Sequence, residues 1–163
     1  MTTKKINANA LEWTESTYGH FSSFRKQLGA LSGGKMLGTS LYKLLPGKKA
    51  FPYHFHHANE EAIFVLTGQG ILRLNNEEIT IQPHDYIALL RGTDHAHQVI
   101  NNSTDPLIYL CISTMIEPDV LEYPDSNKIG VMTGSAPGGD KNLRSFKGFY
   151  KKASEVSYDE GEK

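Results

Sequence analysis

The chain has 163 residues, 39% of them hydrophobic and 21% charged, which describes one globular domain with its own core and excludes disorder and collagen-like repeats. Seventeen Lys+Arg against eighteen Asp+Glu leave a formal charge of −1, so no overall field draws the protein to nucleic acid or to an anionic membrane. At the N-terminus, Lys4 and Lys5 are not followed by the 7–15-residue apolar stretch of a signal peptide, and nowhere do 18 apolar residues run together. A cytoplasmic location is the expectation.

Residues 1–35 read as a segment packing on the main domain. Within them FSSFRKQLGAL sets Phe24, Leu28 and Leu31 at helical spacing, but Gly29 interrupts the pattern, leaving a short helix or an extra edge strand. From residue 36 the texture is β. Short apolar runs at 36–45, 61–67, 71–74, 78–82, 86–90, 96–101 and 107–114 alternate with turn residues, the spacing of a sandwich or barrel. Asn75-Asn76 suits a tight hairpin, because both residues tolerate positive φ. Asn102 to Pro106 makes a second reverse turn. The single cysteine, Cys111, lies in the apolar run LIYLCIST and reads as a buried, unreactive thiol. Residues 116–163, with three of the seven prolines and several glycines, read as an irregular extension ending in a solvated tail.

Six of the seven histidines lie between residues 54 and 97, so the chemistry is concentrated in the β region. His54-Phe55-His56 and His95-Ala96-His97 each place two imidazoles two residues apart. On a strand, residues i and i+2 leave the same face, so each pair can offer two nitrogens to one point, as a divalent first-row metal requires. Glu61 opens the next strand on the face shared by Ile63 and Val65. A carboxylate on an inward face needs a counter-charge, and a metal ion would supply it. His57 has the opposite parity to His54 and His56, and His84 sits in the polar turn QPHD, so both read as non-ligands.

These residues carry a resemblance. PGKKAFPYHFHHANEEAIFVLTGQG resembles the first motif of the cupin superfamily, with His54, His56, Glu61 and Gly68 fitting H-x-H-x(4)-E-x(6)-G. HDYIALLRGTDHAHQVIN resembles the second motif in degraded form: His84 stands for its first glycine and Leu90 for its proline, while Asp85 and Gly92 fit. Spacing from Gly92 points to His95, whereas the H-x(3)-N ending at Asn101 points to His97. The latter lies on the strand itself, while glycine spacing varies with loop length. His97 is therefore the expected ligand and His95 its alternative. The chain is also similar to a subgroup of single-domain bacterial cupins in which a segment like STMIEPDVLEYPDSNKIGV follows the last barrel strand.

The resemblance implies an all-β fold, a small jelly-roll barrel over residues 36–115, with one divalent ion (Fe, Mn, Ni, Co or Zn) on His54, His56, Glu61 and His97. It implies a metal-dependent enzyme of isomerase or dioxygenase type on a small polar or aromatic molecule, or a metal-bearing binding protein without turnover. Tyr42, Tyr53, Gln98 and Tyr109 are possible lining residues. The apolar residues on both faces of EEAIFVLTG need cover on the outer side, and a homodimer is expected.

Overall fold

The computed structural model describes residues 4–162. Thirteen strands follow in chain order: β1 (Thr14–Tyr18), β2 (Phe21–Gln27), β3 (Leu37–Leu44), β4 (Phe55–His56), β5 (Glu61–Thr67), β6 (Gly70–Leu74), β7 (Glu77–Ile81), β8 (Tyr86–Leu89), β9 (His97–Ile100), β10 (Leu107–Thr114), β11 (Asp119–Tyr123), β12 (Lys128–Thr133) and β13 (Phe146–Lys151). They form antiparallel sheets in the orders β1-β2-β3-β10-β5-β8, β13-β12-β11-β4 and β7-β6-β9, the jelly-roll arrangement. Of the two readings of FSSFRKQ, the strand is realised, because Phe24, Arg25, Lys26 and Gln27 pair with β3. No helix among the described residues is long and apolar enough to cross a membrane.

The extension is where the sequence reading needs correction. Residues 116–163, read as irregular, contain β11, β12 and β13, which pair in register over most of their length. Proline and glycine clusters had suggested loops, yet they only punctuate three short strands. β11 also pairs with β4 through Leu121↔His56 and Glu122↔Phe55, so the extension completes the sheet that carries the first histidine pair.

Period-2 alternation builds the barrel interior. Leu44 and Tyr42 of β3, Ile63 and Val65 of β5, Leu72 of β6, and Leu107 and Tyr109 of β10 all join one buried apolar cluster. Continuing along the same inward rows, the residues turn polar: Ser40 on β3, Glu61 on β5, and Cys111 and Ser113 on β10. The registers Cys111↔Ser40, Cys111↔Ile63 and Ser113↔Glu61 bring these to one end of the barrel. One end is a packed apolar plug, and the other is a polar chamber.

The turns explain several motif positions. Asn75 and Asn76 both have positive φ, the two-residue hairpin expected from their tolerance of that region. His84 stands where the second motif has glycine, and its φ is 77°, a conformation glycine adopts without penalty. Gly68 has φ 80°, and a Cβ there would sit 2.3 Å from the Pro106 carbonyl oxygen, so a side chain is barred twice over.

Asn101, the last residue of H-x(3)-N, is fully buried and serves the fold. Its Nδ2 donates to the carbonyls of Leu44 and Asp105 at 2.9 and 2.8 Å, and its Oδ1 accepts from the Ser103 amide and hydroxyl. Asn101→Ala orphans the Leu44 carbonyl in the core and should cost about 2 kcal/mol. Thermal denaturation should show a Tm lower by roughly 4–8 °C; an unchanged Tm would show that the turn closes without it.

Candidate metal centre

The first histidine pair lies where two sheets meet. His54 exchanges backbone hydrogen bonds with His97, at 3.2 and 2.8 Å, while His56 pairs with Leu121 of β11. β9 thus sets one imidazole of the pair and β11 the other. His54, His56 and Glu61 offer ligand atoms that all lie within 4.8 Å of one another. His97 joins them through the carboxylate, its Nε2 standing 3.1 Å from Glu61 Oε2, while His56 Nε2 stands 3.6 Å from the same oxygen.

The outer nitrogens decide what the inner ones can do. His54 Nδ1 lies 2.8 Å from the Pro52 carbonyl, His97 Nδ1 lies 2.9 Å from the His95 carbonyl, and His56 Nδ1 lies 2.6 Å from Asp119 Oδ2. All three partners are pure acceptors, so each Nδ1 carries the proton and donates it. Each Nε2 of a neutral ring is then a lone pair. Three lone pairs and a carboxylate facing one another repel unless a proton or a cation stands among them. His56 Nε2 is buried without any hydrogen-bond partner, a position that costs free energy unless something positive completes it. Imidazole nitrogens with one carboxylate are the donor set that divalent first-row ions take, so the residues present fit such an ion.

Electrostatics points the same way. Burial works against the charged form of Glu61, but His56 and His97 outweigh it and hold the carboxyl well below its ordinary range. Burial, with repulsion from His97 and His56, pushes His54 down to about 3, so this ring is neutral at any ordinary pH. For His56 the burial penalty is overcome by Glu61 and Asp119, and its pKa is raised. At His56, then, a proton competes with a cation for the Nε2 position.

Unlike His97, the alternative His95 forms no ion pair with Glu61 among the described residues. It ends the short turn Thr93–His95, its carbonyl lies 2.9 Å from His97 Nδ1 and orients that ring, and its own Nδ1 is buried without a hydrogen-bond partner. His57 points outward to Glu122 at 2.8 Å, and Glu122 is also bonded by Lys152. Of the four lining candidates, Tyr42 alone borders the chamber. Tyr53 packs with Phe55 and Ala96, Tyr109 is buried beneath Tyr42, and Gln98 donates to the Phe51 carbonyl at 2.6 Å.

Sequence reasoning missed Asp119, Asn59 and Tyr123. Asp119 is fully buried, its carboxylate accepting from His56, from Asn59 Nδ2 at 2.8 Å and from the Ala58 amide at 3.0 Å. Tyr123 stacks on His54 with ring centroids 5.9 Å apart, and burial, helped by Asp119, raises its phenol to about 12. A signal existed: in DVLEY the residues Asp119, Leu121 and Tyr123 share the inward face, so an acid opens an apolar row as Glu61 does in EEAIFV. Cys111 proves to be a wall of the chamber, its Sγ 3.9 Å from Glu61 Oε1. Burial and that carboxylate push its pKa well up, so the thiol stays protonated.

A jelly-roll barrel with a histidine and glutamate cluster inside its polar end defines a class of small-molecule-binding β-barrel proteins. The cupin-domain family profile matches residues 40–113, so the chain carries a cupin domain there. Among solved structures, a candidate sugar phosphate isomerase from Acidithiobacillus ferrooxidans is similar at 26% identity and TM-score 0.76, over 91% of this chain and 90% of that one. A sugar phosphate isomerase of the cupin superfamily from Silicibacter pomeroyi has TM-score 0.76 at 23% identity, over 96% of this chain and 98% of that one, and shows the shared fold. An uncharacterised protein of Methanocaldococcus jannaschii is 35% identical over 60 residues, 37% of this chain and 46% of that protein, so the match spans less than half of the relative. The fold and site place this chain among cupin-type small-molecule enzymes or binders.

Proposed function

We propose that the chain holds one divalent transition ion on His54, His56, Glu61 and His97 and turns over a small polar molecule in the chamber beside it, by isomerase-type chemistry. The observation that carries this reading is the buried, partnerless Nε2 of His56 facing the Glu61 carboxylate. The likeness to the Acidithiobacillus ferrooxidans protein supports the choice of isomerase over dioxygenase. An ion there supplies Lewis acidity to a carbonyl or hydroxyl of the bound molecule. The chain's own residues bind and orient. Tyr42 and Cys111 border the chamber, and burial raises both pKa values, so Tyr42 presents an O–H to the ligand while the Cys111 S–H is directed at Glu61.

That same observation favours a second reading. Neither Tyr42 nor Cys111 can take a proton at neutral pH, and an isomerase must move one. A metal-bearing binding protein needs no such group. Elemental analysis of untagged protein should find about one transition ion per chain. Sugar phosphates, keto acids and catechols should then be screened for turnover with Fe, Mn, Ni, Co and Zn. No metal after reconstitution overturns the centre; a compound bound tightly and recovered unchanged establishes the binder.

The assembly is proposed to be a homodimer. Phe64 pairs with Tyr86 on the face that also carries Leu66, and Tyr86 and Leu66 are 65% and 36% exposed. Light scattering at micromolar concentration should return twice the 18.1 kDa chain mass, and a monomeric mass refutes the dimer.

A further inference from the structure

The chamber has one wall that neither cupin motif supplies. β2 enters from the N-terminal segment and places Arg25 opposite Tyr42 of β3. An open pocket of about 280 Å³ is bordered by Arg25, Ser40, Tyr42, Glu61, Cys111 and Ser113. The guanidinium at one end therefore shares a cavity with the carboxylate of the candidate metal centre at the other.

Arg25 is held but not neutralised. Its Nε donates to Ser40 Oγ at 2.9 Å, and one Nη donates to the Gly138 carbonyl at 2.7 Å. A guanidinium has five N–H donors, so three remain after these two bonds. Among the described residues no carboxylate forms an ion pair with Arg25. A second guanidinium grips the other side of the same loop: Arg144 donates to the carbonyls of Ala136 and Pro137 at 3.2 and 2.7 Å, and its Nε is buried with no partner. Burial and the neighbouring Arg25 both work against the charge of Arg144, and among the described residues neither guanidinium forms an ion pair with a carboxylate.

We infer that Arg25 is a specificity-determining residue, which selects ligands carrying an oxyanion, a carboxylate or a phosphate, and orients the rest of the molecule toward Glu61. The two anchoring bonds fix the fork, and the free N–H groups match the paired oxygens of such a group, an interaction stronger than that with a neutral hydroxyl. The inference rests on the reading above for the choice of chamber, but the charge argument does not need a metal.

Glycerol, glycerate and glycerol 3-phosphate, titrated into metal-analysed protein by NMR, supply a neutral probe and its two anionic counterparts. At least one anion should bind about tenfold or more tighter than glycerol. Arg25→Gln should remove about tenfold or more of that affinity while metal content and glycerol binding stay unchanged, and Arg25→Lys should restore part of it. Whichever anion binds tighter identifies the oxyanion. Should Arg25→Gln fail to fold, the Arg25 Nε–H resonance of the wild type should shift with the preferred anion and stay still with glycerol. Anions that bind no tighter than glycerol, an Arg25→Gln protein that keeps the preference, or an Arg25 resonance indifferent to anions would overturn the inference. Metal-free protein that still prefers an anion, and loses the preference with Arg25→Gln, would sustain it while the metal reading fails.

Discussion

Alanine at His97 should strip the protein of its metal, and alanine at His95 should leave metal content unchanged. The two histidines are two residues apart, yet their contributions are of different kinds. His97 brings an Nε2 lone pair to within 3.1 Å of Glu61 Oε2, and that lone pair is irreplaceable by a methyl group. The contact that runs from His95 to the His97 ring is through a backbone carbonyl, which alanine supplies equally well. Loss at His97 should exceed the ~10–100-fold drop in affinity that follows removal of a typical outer partner of a ligand. Chelator competition followed by elemental analysis measures both variants. Equal losses, or a greater loss at His95, would remove His97 from the proposed ligand set. Acid should have the same effect as alanine at one position: the pKa of His56 is raised, so retention should begin to weaken as pH falls through a value above its ordinary 6.5.

Asp119→Asn should weaken metal binding by ~10–100-fold although the residue touches no ion position. Its carboxylate fixes the His56 proton on Nδ1 and so leaves Nε2 free to donate its lone pair. An amide at this place can turn its NH2 toward the ring, and the ring then flips its proton to Nε2, the wrong tautomer for a ligand. The substitution also disturbs bonds to Asn59 and Ala58 in a fully buried position, at a cost of about 2 kcal/mol. Burial raises the Asp119 pKa, but His56, Asn59 and the Ala58 amide more than reverse this, and the folded value lies below the ordinary 3.8. A depressed carboxylate contributes its full stability above its unfolded pKa and loses it as pH falls through the folded one. Asp119→Asn should therefore flatten the acid limb of a stability–pH curve below about pH 4, alongside its loss of metal. Unchanged metal affinity in a folded variant would show that His56 needs no such partner.

The sequence by itself determined the features that are periodic or local. Strand alternation in EEAIFVLTG put Glu61 on the inward row with Ile63 and Val65, and the structure has those residues facing the interior. The His-x-His spacing placed two imidazoles on one face, and Asn75-Asn76 specified its own hairpin. These follow from backbone geometry within a few residues, which any stretch of chain carries with it. What only the tertiary structure decided depends on pairing between distant segments. His56 and Asp119 are 63 positions apart, and Arg25 meets Gly138 across 113. His95 and His97, two residues apart, fall in different local structures, the turn Thr93–His95 and the strand β9, which their spacing does not reveal. The extension looked irregular because its strands are short and broken by proline and glycine, and each is stabilised by its neighbours more than by its own pattern. β11 becomes a strand by pairing with β12 and β4, and in doing so it delivers Asp119 to His56.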